Sequence, residues 1–242
     1  MPVFNCLSLQ LTFFELPPMN KYFITLLILS FFTLQSFKTD APISTSASAS
    51  VRSSLLASRL NINSESVRLA ITGYEKLKQL GKLTNMRYLT IADFSKPSNE
   101  ERFYIIDMQN QVMLMQTLVA HGRNSGMLFA KSFSNKSASF QSSLGFYITG
   151  NPYNGKHGTS LELNGVELGI NDQAKQRAIV IHGADYVSDN FVKSQGYAGR
   201  SLGCPAVPKK EVNTIIQAIK GASCLFVYAP NRSYLKTSAL IN

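Results

Sequence analysis

The sequence predicts a mainly β protein: a mixed β-sandwich or barrel-like sheet, with one helix before it and another near the end of the chain. Three observations lead there. Seven short runs rich in β-branched and aromatic residues follow residue 86. Gly, Asn, Pro and Ser bound those runs, as they bound strands. Only two stretches repeat apolar residues at the three- and four-residue steps of a helix. With 242 residues, 45% of them apolar, the chain is long enough to bury a core and fits one domain with appendages, which excludes disorder throughout.

Taken in order, residues 1–36 read as a secretory signal peptide. Lys21 precedes the apolar run YFITLLILSFFTL, which Gln35 and Ser36 close. A spanning helix needs roughly 20 apolar residues, and Glu15, Pro17 and Pro18 stop this run from extending backwards. No stable membrane span is therefore expected once the signal is cleaved. Met19 begins a compact signal of its own, so residues 1–18 read as an upstream extension. Residues 37–63 are Ser- and Ala-rich and predict a flexible linker. The folded domain is expected over 64–242. It opens with a helix over 64–81, where Val67, Ala70, Ile71, Tyr74, Leu77 and Leu80 share a face and Gly81 ends the helix in a left-handed turn.

The expected strands are RYLTIADF, RFYIIDM, QVMLMQTLVA, SLGFYITG, SLELNGVELG, AIVIHGA and CLFVYAP. Asn164-Gly165 reads as a type I′ hairpin turn, since both central positions need positive φ. A second helix is expected over 208–220, with Pro208 at its first position, Val212, Ile215, Ile216 and Ile219 on one face, and Gly221 as terminator. No internal repeat is present.

Charge and cysteines narrow the function classes. The chain carries 24 Lys and Arg against 14 Asp and Glu, a formal charge of +10, yet no basic run is longer than Lys209-Lys210. A nucleic-acid arm is not indicated. Removing 1–36 takes away one Lys and one Glu, so the exported part keeps its full positive balance. Outside a bacterial inner membrane such a field meets the carboxylates of the cell wall, so the expected location is the periplasm or envelope. Three cysteines, with no closely spaced Cys/His cluster, exclude a dense disulfide scaffold and disfavour a zinc site.

Chemistry concentrates in AIVIHGADYVSDNFVKSQGYAGRSLGCPAVP. A strand delivers His182-Gly183, and a glycine-punctuated loop leads to Ser201, Gly203 and Cys204. A thiol nucleophile needs a base near neutral pH, the task for which imidazole is suited. It also needs backbone N–H groups aimed at a developing oxyanion, and Gly203 allows close approach of the main chain. Cys204 and His182 form the candidate dyad; on spacing alone, a buried cysteine and a structural histidine remain an equal reading.

His182-Gly183 followed by Ser201-x-Gly203-Cys204 resembles the signature of the murein L,D-transpeptidase catalytic-domain family. VAHGRNSG, FSN, SLGFYITG, YNGKHGTSLELNG and RAIVIHGADYVS are similar to that family too, so the likeness spans roughly residues 65–230. The resemblance implies the L,D-transpeptidase catalytic fold. It implies Cys204 as nucleophile, His182 as base, the amides of Gly203 and Cys204 as oxyanion donors, and the Gly183 carbonyl as the imidazole's orienter. The implied partners are peptidoglycan stem peptides, one as acyl donor and one supplying the acceptor amine, joined through a thioester without metal or organic cofactor. Water as acceptor would give an L,D-carboxypeptidase or cysteine amidase. A non-catalytic wall-binding protein is the rival from another class. Relatives carry His or Arg where this chain has Leu202, and Arg or Asn where it has Ala206; Arg200 is the candidate substitute for that lost charge.

Other candidates come with plainer readings. His121 could line the cleft or close a turn, while His157 reads as a surface histidine. Tyr186 and Tyr197 flank the loop as a candidate lid over substrate, or as packing. Ser201 could bond near the thiolate or shape the turn. Cys224 reads as a buried thiol rather than a bridge to Cys204.

Overall fold

The structure, a computed structural model, describes residues 45–242, with side chains from Ser53 onward. The expected signal at 1–36, its extension at 1–18, Cys6 and the expected linker's first residues, 37–44, lie outside the described residues. The rest of that linker is not a tether. Helix α1 occupies Thr45–Leu60, because Ala and Leu favour helix and supply a face to bury: Leu56 and Ala57 are buried. Asn61, at φ 53, ends α1, and the Ile62 amide bonds back to Ala57 O at 3.0 Å. Asn63 then caps α2, Ser64–Gln79, accepting from the Glu65 and Ser66 amides at 2.9 and 3.2 Å. Gly81 follows at φ +64. Val67, Leu69, Ala70, Gly73, Tyr74 and Leu77 are buried, whereas Leu80 faces solvent.

Eight strands form one mixed sheet: β1 Tyr88–Asp93, β2 Phe103–Asp107, β3 Val112–Thr117, β4 Gly145–Gly155, β5 Gly158–Gly165, β6 Val180–Ala184, β7 Ala206–Pro208 and β8 Cys224–Tyr228. Their spatial order is β3-β2-β1-β8-β4-β5-β6-β7. The pairs β1–β8 and β6–β7 are parallel, and the other pairs antiparallel. Strands β2 and β8 are buried along their whole length, as a sheet covered on both faces requires. Its edges approach each other: Ala120, just past β3, donates its amide to Ala206 O of β7 at 2.8 Å. The expected sandwich or barrel is thus one nearly closed sheet.

Two local expectations fail. Asn164-Gly165 is not a turn but lies in the ladder, opposite Ile148 and Tyr147. The turn comes earlier, where Gly155 faces Gly158. Gly165 is needed for space rather than for positive φ, since a Cβ there would sit 1.9 Å from Asn171 O. Pro208 is likewise not the first residue of a helix: it ends β7, an edge position that needs no N–H. The helix expected over 208–220, α4, runs Val212–Ile219, after α3 at Asp189–Gln195. Its buried Val212, Ile215, Ile216 and Ile219 close the core. A last short helix, α5, spans Arg232–Thr237.

Candidate active site

The site is built where β6 meets β7. His182 pairs with Ser160 of β5 on one side and with Ala206 of β7 on the other. Carrying the parallel register back two residues sets Cys204 against Val180. The sulfur's contacts agree with that register: Sγ donates to Ala178 O at 3.6 Å and faces the Val180 N–H. Cys204 is half-buried and free, while Cys224, on β8, is free and fully buried.

His182 is only 3% exposed, and its Nδ1 lies 3.1 Å from Gly183 O. A carbonyl can only accept, so the proton of the neutral ring sits on Nδ1 and the lone pair on Nε2. Burial lowers the ring's pKa, the Gly183 carbonyl opposes this, and His157 and Lys156 lower it further. Gly183 is wedged between strand and helix: a Cβ there would lie 3.0 Å from Val212 Cγ1 and 3.1 Å from Lys209 Cα.

The Cys204 loop is tied from three sides. The Ser201 hydroxyl donates to Cys204 O at 2.6 Å and accepts the Gly203 amide at 3.0 Å. The Gly203 amide, expected as an oxyanion donor, is therefore occupied, because the turn's hydrogen bond satisfies it first. Gly203 adopts φ +129, and a Cβ on it would meet Gln141 O at 2.9 Å. Ser142 Oγ donates to Gly203 O at 3.2 Å and accepts the Gly122 amide at 3.0 Å. Ser201 N donates to His121 O, and Arg123 N to Ser201 O.

Burial pushes the Cys204 thiol up. The Val180 N–H, the Arg177 guanidinium, the residue's own N–H and Lys156 pull it down.

The outer candidates divide. His121 does not line a cleft: it is wholly buried, with Nδ1 2.8 Å from Arg102 Nη2, Nε2 3.2 Å from Gly126 O, and Phe94 edge-on at 5.9 Å. An internal guanidinium needs acceptors, and the ring supplies one. Tyr186 is half-buried against Leu118, Ala120, Ala184, Val187 and Ala206. Its ring covers Gly199, where a Cβ would come within 2.5 Å. Arg200 stacks over Tyr197 at 5.7 Å, and Tyr197 meets Phe191 edge-on at 6.4 Å. Leu202 is 52% exposed, and Ala206 is fully buried.

Two residues, Lys156 and Arg177, escaped the sequence reading, and one contact of His157 did too. His157, exposed at the β4–β5 turn, stacks on His182 with centroids 4.5 Å apart and planes at 23°; Lys156 adjoins it. Arg177 reaches the Gly203 backbone from the turn before β6. The misplaced hairpin hid Lys156 and the stacking of His157, and no motif marks Arg177. Among the described residues no group of three or more His, Cys, Asp or Glu side chains is placed to hold a metal ion.

Comparison with known proteins gives the family. A domain described as the L,D-transpeptidase catalytic domain matches residues 58–228. No curated protein matches. Similar solved structures include an L,D-transpeptidase from Mycobacterium smegmatis, 14% identical with a TM-score of 0.37 over 59% of each chain. An L,D-transpeptidase from Xylanimonas cellulosilytica is 12% identical, TM-score 0.36, covering 64% of this chain and 68% of that one. The helical cell shape determining protein Pgp2 from Campylobacter jejuni is 14% identical, TM-score 0.38, covering 66% of this chain and 56% of its own. The chain thus spans less than two thirds of the first and third of these structures. With the family's domain matching from the end of α1 to the end of β8, the chain belongs to the L,D-transpeptidase catalytic domain family.

Proposed function

We propose that this protein is an exported L,D-transpeptidase that acts on peptidoglycan stem peptides, with Cys204 as nucleophile and His182 as general base. Residues 1–36 serve as the export signal, with 1–18 an upstream extension, and the domain works in the periplasm or envelope. The observation that carries the reading is the Nδ1 contact of His182 with Gly183 O at 3.1 Å. It leaves the Nε2 lone pair free on β6, the strand that pairs with β7, which begins two residues after the half-buried, free thiol of Cys204.

Nε2 takes the Sγ proton, and the sulfur attacks the carbonyl carbon on the L-centre of the donor's diamino acid. The Cys204 amide is the candidate donor to the oxyanion, since the Gly203 amide is engaged. The C–N bond to the terminal D-Ala breaks as the imidazolium returns its proton to the departing amine, leaving a thioester. An acceptor amine attacks the thioester and gives its proton to His182, and the thiol leaves reprotonated. These steps call for no cofactor. Arg200, Tyr186 and Tyr197, on the loop before Cys204, are the candidate contacts for the stem peptide.

The test is to incubate the exported chain with a carbapenem, and separately with tetrapeptide stems with and without an added amine, and to weigh the products. A covalent adduct on the Cys204 peptide and an amine-linked product are expected. Both should vanish in Cys204→Ala, and His182→Gln should slow acylation about 10²–10⁴-fold. A shortened peptide alone would make the chain a carboxypeptidase. Sacculus binding with no adduct would overturn the enzymatic reading.

A further inference from the structure

The turn before β6 holds a cation that the dyad chemistry does not use. Arg177 is half-buried, and its guanidinium donates to Ser134 O at 2.7 Å, Gln141 O at 2.6 Å, Ser143 Oγ at 2.5 Å and Ser139 Oγ at 3.3 Å. All four acceptors are neutral. No carboxylate among the described residues forms an ion pair with it. A guanidinium anchored by carbonyls and hydroxyls keeps its field, which a counterion would otherwise cancel.

That field is aimed at the Cys204 loop. A Cβ on Gly203 would lie 3.2 Å from Arg177 Nη2, and Cys204 is the next residue. Ala178, directly after Arg177, sits at φ +51, a region that L side chains rarely adopt, and its carbonyl accepts the thiol at 3.6 Å. One tight turn therefore presents a carbonyl to the thiol and a positive charge to the backbone beside it.

We propose that Arg177 is a positioning residue for the thiol, its charge held by the loop over 134–143 so that forming the Cys204 thiolate is easier than burial alone would allow. The inference rests on the reading of Cys204 as nucleophile. Other groups interact with the sulfur: Tyr147 on β4, Tyr186 after β6, and Lys156 at the β4–β5 turn. Lys156 is the other cation that draws the thiol down; it stands in solvent, where screening is strong, whereas Arg177 is partly enclosed. The arrangement answers a need that burial creates, because the low dielectric around Sγ disfavours its charged form.

The test is the pH dependence of alkylation of the full chain by iodoacetamide, followed by mass on the Cys204 peptide so that Cys6 and Cys224 do not interfere. Arg177→Gln should move the midpoint up by about one pH unit and slow alkylation at pH 7 about tenfold. Arg177→Lys, which keeps the charge and loses the fork, should keep the wild-type midpoint within a few tenths of a unit. Unchanged midpoints in both variants overturn the proposal, as do equal upward shifts in both. Should the Gln variant lose its fold by circular dichroism, the Lys variant decides alone. A wild-type midpoint then supports the charge, and a shift of a full unit overturns it. Lack of a carbapenem adduct would strike the transpeptidase reading instead, while leaving the alkylation profile readable.

Discussion

His121 and His182 are both buried histidines, and their surroundings give them different tasks. His182 has Nδ1 satisfied and Nε2 left over, while His121 has both nitrogens engaged between Arg102 and Gly126 O. Burial, and then the neighbouring Arg102 charge, push the His121 pKa down to about 4 from 6.5. Above pH 6.5 the ring is neutral in both folded and unfolded chains. Between pH 6.5 and about 4 the unfolded chain takes up a proton that the folded one refuses, so stability falls with pH by roughly 3 kcal/mol across that window. Glu167 and Asp93 oppose this, because burial raises their pKa and the folded chain takes up their protons more readily. A comparison with His121→Gln isolates the ring. In urea unfolding the variant should be the less stable at pH 7, and the gap should narrow by pH 4.5. Parallel stability curves would show that His121 is not the acid-sensitive group.

At the scale of an element, the docking of α2 on the sheet turns on Gly73. Helix propensity alone favours Ala there by about 1 kcal/mol. Packing opposes it: a Cβ on Gly73 would lie 2.1 Å from Phe146 Cζ, and the Phe146 ring cannot withdraw because it stacks on Phe226 at 4.3 Å. Overpacking costs roughly 1–3 kcal/mol and wins over propensity. Gly73→Ala should therefore lower the melting temperature by a few degrees, up to about 8 °C, in a thermal scan; a rise would mean that the helix shifts freely on β4 and β8. The same rule of space explains the misplaced turn. Asn164-Gly165 has the composition of a tight turn, but Gly165 passes against the Asn171 backbone, and the chain turns instead at residues 155–158. Glycine in a sequence marks either a backbone conformation or a close approach, and only the neighbour across space tells which. In α1 the local signal points the other way: its Ser and Ala residues resemble a tether until Leu56 and Ala57 find partners to bury against.

For the molecule as a whole, the +10 charge is spread along the sequence rather than gathered in one run. It predicts nonspecific attraction to the wall's carboxylates. Retention of Cys204→Ala on purified sacculi should drop about tenfold between roughly 0.01 M and 1 M salt, as the Debye length shrinks from about 30 to 3 Å; retention indifferent to salt would point to apolar docking instead. Most of the strands and the two amphipathic helices were readable in the sequence, as were Cys204 and His182 as candidates, because periodicity, turn residues and the spacing of a motif are properties of neighbours along the chain. Closure of the sheet through Ala120 and Ala206, the burial of His121, the stacking of His157 on His182 and the reach of Arg177 to the Gly203 backbone were not. Those contacts join residues that register and packing bring together. Arg177, for example, is held by residues 34 to 43 positions away, on a loop with no repeating pattern to read. Composition and local pattern determined that this chain forms a β-rich fold carrying a thiol and an imidazole; the tertiary structure decided which groups surround the sulfur, because an electric field and a steric contact depend on distance in space.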